Sequence, residues 1–313
     1  MTKILITGGA GFIGSSLAEK LVANPENYVV AVDDLSTGRV ENLPGQSSNF
    51  RFIKTNVNDY GDISAIMLGF QFDYVFHYAA CVGVQRTLRN PVQVLCDIDG
   101  IKNVLGLAKN TGVRRVFYSS SSEVYGEPVE FPQNEDTTPL NSKLPYAVVK
   151  NVGESFLRSY KREYGLDFTI FRFFNTYGPK QSADFVMTKF IESALHGRDL
   201  TIYGDGSQSR TFCYIGDNVD ATVNALVQDR WVNEVVNIGN EVEVSVLELA
   251  QQVVAATDSR SRIVHVAPLP EGDMRRRKPD ITKMREVLGR ELTPLADGIR
   301  KTIEPRAPAW QES

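Results

Sequence analysis

Residues 3–14 read Lys3-Ile4-Leu5-Ile6-Thr7-Gly8-Gly9-Ala10-Gly11-Phe12-Ile13-Gly14, and a helical pattern, Ser15-Ser16-Leu17-Ala18-Glu19-Lys20-Leu21, follows. The apolar run predicts a strand covered on both faces. Glycines without Cβ predict a tight turn, after which backbone N–H groups and a helix N-terminus can reach a pyrophosphate. Glycines also serve plain strand-to-helix turns, so position has to decide. The second apolar run ends in Val32-Asp33-Asp34, about 20 residues past the glycines, where a carboxylate can accept the hydroxyls of an adenosine ribose. An acid there repels a 2′-phosphate, which favours NAD over NADP; Arg39 is the nearby residue that speaks for the phosphate.

Working outward, Val/Ile/Phe-rich runs recur at 3–7, 28–33, 51–57, 73–79, 115–121 and 167–174, separated by helix-like segments. Runs that are apolar nearly throughout belong to a parallel sheet with helices on both faces, so the expected class is α/β, a Rossmann-like doubly wound parallel sheet. After Gly178-Pro179 the pattern loosens, with a Gly-rich turn at Gly204-Asp205-Gly206, one more apolar run from Val235 to Ile238 and a polar segment from Pro268 to Pro279. We expect an NAD-binding domain over 1–174, rejoined by about 211–240, and a smaller interleaved substrate lobe over 175–313.

The 313 residues are 42% apolar and 23% charged, enough for a sizeable core. A net charge of −4, with no basic run longer than Arg275-Arg276-Arg277-Lys278, argues against nucleic acid and membrane surfaces as partners. No stretch approaches the ~20 apolar residues of a membrane span and no signal-peptide pattern opens the chain, so a cytoplasmic location is expected. Cys81, Cys96 and Cys213 match neither a disulfide framework nor a zinc site and read as packing residues. His77, His196 and His265 are scattered and read as structural or surface; no metal is expected.

Tyr146 and Lys150 stand four residues apart in Leu144-Pro145-Tyr146-Ala147-Val148-Val149-Lys150, a spacing that stacks both on one face of a helix. An ammonium beside a phenol favours the phenolate and makes the tyrosine a usable general base. Tyr-x-x-x-Lys is common by chance. Here it is joined by Tyr118-Ser119-Ser120-Ser121-Ser122-Glu123-Val124-Tyr125-Gly126 at the carboxyl end of an expected strand, the edge of an open α/β sheet where ligands bind.

Taken together, these motifs resemble the extended short-chain dehydrogenase/reductase family of nucleotide-sugar enzymes, from Gly8 to about Leu295. The resemblance implies Ser121, Tyr146 and Lys150 as a catalytic triad. It implies NAD held by Gly8, Gly11, Phe12, Ile13, Gly14, Asp33 and Asp34, by Ser36, Thr37 and Gly38, by Asn56 and Val57 near the adenine, and by Tyr146, Lys150 and Phe173. His77-Tyr78-Ala79-Ala80 resembles the segment that passes under the cofactor. Asp97 stands where the family commonly has Asn. On the substrate side, Asn175 in Phe173-Phe174-Asn175-Thr176-Tyr177-Gly178-Pro179 resembles the residue that binds the diphosphate or sugar, and Thr201 and Tyr203 resemble the segment on the nucleobase, by the same resemblance uracil. Arg210 and Arg275, with Arg276 or Arg277 as substitutes, resemble the diphosphate arginines, whose planar forks suit a pyrophosphate. The helix carrying Tyr146 and the one from about 91 to 110 resemble the pair at a homodimer interface.

The expected reaction is oxidation at sugar C4 to a transient 4-keto sugar, which a UDP-hexose or UDP-hexuronate 4-epimerase reduces again on the other face. The alternatives differ in the fate of that ketone. A 4,6-dehydratase uses two acids where this chain has Ser122-Glu123, so half of its machinery is missing. A UDP-glucuronate decarboxylase reads Thr-Ser-Glu there, closer to Ser121-Ser122-Glu123, with Glu123 as a candidate catalytic acid. Gly83-Val84-Gln85-Arg86 resembles the epimerases instead, and Val84, Arg86 and Ser122 are candidate sugar contacts. For a uronate, Arg86, Lys180, Thr176 and Ser182 are candidates to face the carboxylate. A catalytically silent NAD-binding protein is a remote alternative, since fold does not imply function, but such a protein is expected to have lost Ser, Tyr or Lys.

Overall fold

The computed structural model describes residues 1–83, 87, 89–267 and 277–305. Val84, Arg86, Arg275 and Arg276 lie outside the described residues. The chain forms two compact units. The first comprises Met1–Gly126, Leu140–Phe173 and Val219–Val236; the second comprises Glu127–Pro139, Phe174–Asn218 and the chain from Asn237 onward.

The first unit is built as βα repeats: β1 (Thr2–Thr7), α1 (Phe12–Val22), β2 (Asn27–Asp33), β3 (Phe50–Lys54), α2 (Tyr60–Phe70), β4 (Tyr74–His77), α3 (Pro91–Leu95), α4 (Asp97–Thr111), β5 (Arg115–Ser121), α5 (Pro145–Tyr164) and β6 (Asp167–Phe173). Strands β1 to β6 pair in parallel in the spatial order 3-2-1-4-5-6, and the run from Glu234 to Ile238 joins the same sheet beside β6. The order reverses between β1 and β4, the switch point where a doubly wound sheet leaves a crevice at its carboxyl end. All seven residues of β5 are buried, as expected for a strand covered on both faces.

Helix α1 buries Gly14, Leu17, Ala18 and Leu21, a stripe at helical spacing. Helix α5 starts on Pro145, whose ring pre-sets the first helical φ, and ends on Gly165 in the left-handed conformation at φ 75°. At the amino end of the sheet the chain takes positive φ at Asp229, Trp231 and Asn233 (51°, 57° and 64°). Strand residues hold that strained turn: Arg115 donates to the Arg230 carbonyl at 2.9 Å and pairs with Asp229, Thr169 Oγ1 donates to the Trp231 carbonyl at 2.9 Å, and the Phe168 N–H reaches Asn233 Oδ1 at 3.2 Å.

The second unit has its own core of Tyr177, Phe190, Ile191, Leu200, Ile202, Phe212, Leu249 and Ile299 among others. Its strand pairs are short. In the one formed by Leu200–Tyr203 and Ile263–Val266, Leu200 and Ile202 are buried while Thr201 and Tyr203 face out. The expected packing role of the cysteines holds for buried Cys213 and half-buried Cys81 but not for Cys96, which is exposed at the junction of α3 and α4. Among the described residues no helix is long and apolar enough to cross a membrane, and no cluster of His, Cys, Asp and Glu is arranged to hold a metal.

Gly153 shows how tightly α5 sits on β5. A Cβ there would lie 2.2 Å from the Tyr118 hydroxyl and 2.4 Å from its Cζ. A Gly→Ala change inside a helix ordinarily gains about 1 kcal/mol, whereas overpacking a core costs about 1–3 kcal/mol. Gly153→Ala is therefore expected to destabilise the protein in urea unfolding, and Tyr118→Leu in the same chain to relieve part of the loss. A more stable Gly153→Ala single variant would contradict this packing.

Candidate active site

The glycine loop is shaped by close approach. Gly8 has φ +69°, and a Cβ on it would stand 2.7 Å from the Ala79 nitrogen and 2.8 Å from the Tyr78 carbonyl carbon, so the end of β4 can run against the loop only because Gly8 lacks a side chain. A Cβ on Gly14 would lie 2.2 Å from the Gly8 oxygen, which lets α1 start directly above the turn. The helix begins at Phe12 with Gly11 as its N-cap and no side chain capping it, leaving first-turn N–H groups of Phe12 and Ile13 for an outside acceptor. Asp33 is buried at the tip of β2. Its Oδ2 accepts from the Ala10 N–H at 3.0 Å and its Oδ1 from Leu35 N–H at 2.9 Å, and Gly38 closes over it where a Cβ would come within 2.7 Å of Oδ1. Burial lifts the Asp33 carboxyl above the ordinary carboxylate range against these N–H groups, which favour the charged form.

Asp34, Ser36 and Thr37 are exposed beside it, with Ser36 N–H donating to Asp34 Oδ1 at 2.8 Å. The turn after β3 carries exposed Asn56 and buried Val57, and Asn103 from α4 donates to the Val57 and Asn58 carbonyls, both at 3.1 Å. A dinucleotide fits this set: a side-chain-free turn under a helix start, and a buried carboxylate one strand away.

Thr7, at the tip of β1, is the hub of the crevice. Its Oγ1 accepts from the Tyr78 and Ala79 N–H groups, both at 3.1 Å, and lies 2.8 Å from His77 Nδ1. A hydroxyl oxygen with both lone pairs engaged must donate its proton, so His77 Nδ1 accepts and Nε2 carries the hydrogen. Burial pushes His77 down to about 3, with Lys150 adding to the shift, so the ring stays neutral. The expectation that His77 is structural agrees with this. Tyr78 sets its ring edge-on against Phe173 at 5.6 Å.

Lys150 is buried, its Nζ 3.2 Å from Ser119 Oγ and 5.8 Å from the centre of the Tyr146 ring. Ser119 in turn donates to the His77 carbonyl at 3.4 Å. The tip of β5, the start of α5 and the end of β4 thus meet around one ammonium. Ser121 Oγ accepts from the Glu123 N–H at 3.2 Å and caps the 3-10 turn Ser122–Tyr125, so its hydroxyl proton is directed to a different acceptor. Ser122 is buried and Glu123 half-buried. Asp97 Oδ2 accepts from the Cys81 N–H at 2.7 Å, and burial raises its carboxyl.

In the second unit, Asn175 is half-buried and its carbonyl accepts from Cys213 N–H at 2.9 Å. Thr201 and Tyr203 project outward and Arg210 is half-buried on its own short strand. Ser119, Thr7 and Asp97 were missed as site residues in the sequence reading. Ser119 was within reach, since it stands two residues before Ser121 on the same strand; the hydroxyl of Thr7 gives no signal in a strand that reads as apolar.

Burial pushes the Lys150 ammonium from its ordinary 10.5 down to about 8, opposed by the Asp97 carboxylate. Between those two values the unfolded chain holds a proton that the folded chain has released, so stability rises with pH through that window; below about 8 both states hold it and the burial penalty is constant. Lys150→Met is expected to remove this slope. Its Tm relative to the parent should be highest below pH 8 and decline toward pH 10.5; a difference independent of pH would count against a buried ammonium.

The model of the NAD dependent epimerase/dehydratase family matches residues 4–239. The chain is similar to UDP-glucuronic acid decarboxylase 5 of Arabidopsis thaliana, 38% identical over 298 residues covering 92% of this chain and 84% of the relative. It is similar to the crystal structure of the UDP-glucose 4-epimerase of Thermotoga maritima with UDP-glucose, at a TM-score of 0.92 and 35% identity, covering 98% and 99% of the two chains. A further similar structure is the UDP-glucuronic acid 4-epimerase of Bacillus cereus in complex with UDP-glucuronic acid and NAD, with a TM-score of 0.89, 30% identity and coverage of 98% and 100%. With the family model spanning most of the chain and these identities over nearly its full length, the chain belongs to the NAD dependent epimerase/dehydratase family, whose cofactor is NAD.

Proposed function

We propose that the protein is a UDP-sugar 4-epimerase acting through a transient 4-keto sugar. The observation that carries this reading is the buried Lys150 beside Tyr146 and the end of β5, with Ser122 rather than a second acid next to Glu123. In this reading the first-turn N–H groups after Gly11 hold the pyrophosphate of NAD, Asp33 and the Ser36–Gly38 turn hold its adenosine ribose, Asn56 and Val57 border the adenine, and Tyr78 to Ala80 with Phe173 border the nicotinamide. When bound, NAD supplies the acceptor and later the donor of the C4 hydride. Tyr146 takes the 4-hydroxyl proton on its phenolate oxygen and returns it after the sugar has turned. Lys150, anchored by Ser119, keeps its ammonium near that oxygen and favours the phenolate. Ser121 donates to the same sugar oxygen. Asn175 and Arg210 are assigned to the diphosphate, and Thr201 and Tyr203 to the nucleobase.

Glu123 favours a second reading, UDP-glucuronate decarboxylase, in which the 4-ketone draws off the electrons as carbon dioxide leaves C5. The Arabidopsis relative bears that name. Proton NMR of the purified protein in D2O with UDP-glucuronate, UDP-glucose and UDP-N-acetylglucosamine in separate tubes separates the two. A C4-inverted product without deuterium at C5 is expected; a pentose labelled at C5 replaces the epimerase by the decarboxylase. Tyr146→Phe is expected to retain NAD and lose about 10²–10⁴-fold in turnover, the usual worth of a general base, and undiminished turnover would remove Tyr146 from the role. Glu123→Gln should leave an epimerase within a few-fold of the parent and cripple a decarboxylase that uses the acid.

We also propose a homodimer through α3, α4 and α5, on which Val92, Leu95 and Val148 stand exposed. Light scattering at micromolar concentration should give twice the mass of the 313-residue chain, and a monomer mass would refute it.

A further inference from the structure

Glu154 and Arg172 form a buried ion pair that takes no part in proton transfer, yet its partners lead to the reacting groups. Glu154 lies one turn beyond Lys150 and two beyond Tyr146 on α5, so all three share a face. The Glu154 side chain is fully buried and that of Arg172 is 2% exposed. Glu154 Oε1 accepts from Ser120 Oγ at 2.6 Å and Arg172 Nε at 2.9 Å, and Oε2 accepts from Arg172 Nη2 at 2.8 Å. Arg172 Nη1 donates to the Tyr125 hydroxyl at 2.9 Å, and the guanidinium lies 4.8 Å from the Tyr125 ring centre. Ser120 immediately precedes Ser121, and Tyr125 ends the turn that carries Ser122 and Glu123. One carboxylate and one guanidinium therefore tie the helix of Tyr146 to both ends of the segment from Ser121 to Val124.

We propose that the Glu154–Arg172 pair is a positioning device that fixes the height of α5 against the tip of β5, and with it the place of the Tyr146 hydroxyl relative to that of Ser121. This rests on the reading of Tyr146 as the proton acceptor. A buried ion pair is often no more stabilising than well-packed apolar residues of the same volume, so stability gives little reason to keep one here. A two-pronged guanidinium–carboxylate contact, by contrast, permits one translation and one rotation. One residue of slip along a helix is about 1.5 Å, and a misplacement of about 1 Å at a reacting group can cost about 10²-fold in rate.

The test is the double variant Glu154→Leu/Arg172→Met, which removes both charges at similar volume. It is expected to bind NAD and keep KM within about threefold, to lose about 10–100-fold in kcat, and to move the acid limb of the kcat profile upward by about one pH unit as the phenolate loses its support from Lys150. Ultraviolet difference titration against the same chain carrying Tyr146→Phe reads the Tyr146 ionisation without substrate and should show the same upward shift. Parent values of kcat and of the titration overturn the proposal, as does a fall in Tm with both unchanged. If the double variant does not fold, Tyr125→Phe removes the hydroxyl that accepts from Arg172 Nη1 and should lower kcat at unchanged KM; unchanged kcat and pH profile overturn the proposal. If the parent turns over no UDP-sugar, the functional reading falls, and the Tyr146 titration alone decides, upheld by the shift and overturned without it.

Discussion

The Thr7 hydroxyl sits where the sheet changes direction, and the site depends on what it satisfies. At the switch point the β1 and β4 ladder ends with the Tyr78 N–H on the Thr7 carbonyl at 3.2 Å, and the next N–H, that of Ala79, lies past the paired residues. The Thr7 hydroxyl accepts from both N–H groups and passes its own proton to His77. That contact holds the segment after β4 against Gly8 and orients the imidazole, which burial and the neighbouring Lys150 keep neutral. Lys150 can then occupy a dry pocket without a second positive charge beside it. A valine in place of Thr7 would keep the strand and the bond from the Tyr78 N–H to the residue-7 carbonyl, and would leave the Ala79 N–H and His77 Nδ1 without the hydroxyl.

Helix α5 combines packing and chemistry on one stripe. Tyr146 and Lys150 face the end of β5, Gly153 lets the Tyr118 ring approach the backbone, and Glu154 reaches the next strand through Arg172. The Lys150 ammonium is held below its ordinary range by burial, and the contacts of Gly153 and Glu154 lie within the next turn of the same face. The Tyr-x-x-x-Lys spacing marks only the outermost part of this arrangement.

Much of this is legible in the amino-acid sequence. Largely apolar runs point to a covered parallel sheet, and the run at 115–121 matches β5 end to end, although its ends, Arg115 and Ser119 to Ser121, are polar. The glycine loop and Asp33 were legible too, although the reason for Gly8 was only partly seen: its missing side chain admits Ala79 as much as any phosphate. The Glu154–Arg172 pair was not legible. A glutamate on a helix ordinarily reads as a solvated charge, and the arginine inside Phe171-Arg172-Phe173 was the only trace of a charge held in the core. The packing role expected of Cys96 rested on cysteine spacing alone, which carries no information on burial, and the residue is exposed where α3 meets α4.

The strained turn through Asp229, Trp231 and Asn233 at the opposite end of the sheet gives β5 two occupations. The first residues of β5 and β6, Arg115, Phe168 and Thr169, are spent on fastening that turn. The last residues of β5, Ser119 to Ser121, carry hydroxyls to the carboxyl end of the sheet. Five residues of β5 lie between Arg115 and Ser121, so the anchoring end and the reactive end can vary independently. A designer who wished to redirect the fate of a keto sugar could rewrite Ser121 to Glu123 as a cassette, with the opposite end of the same strand left to keep the scaffold in place.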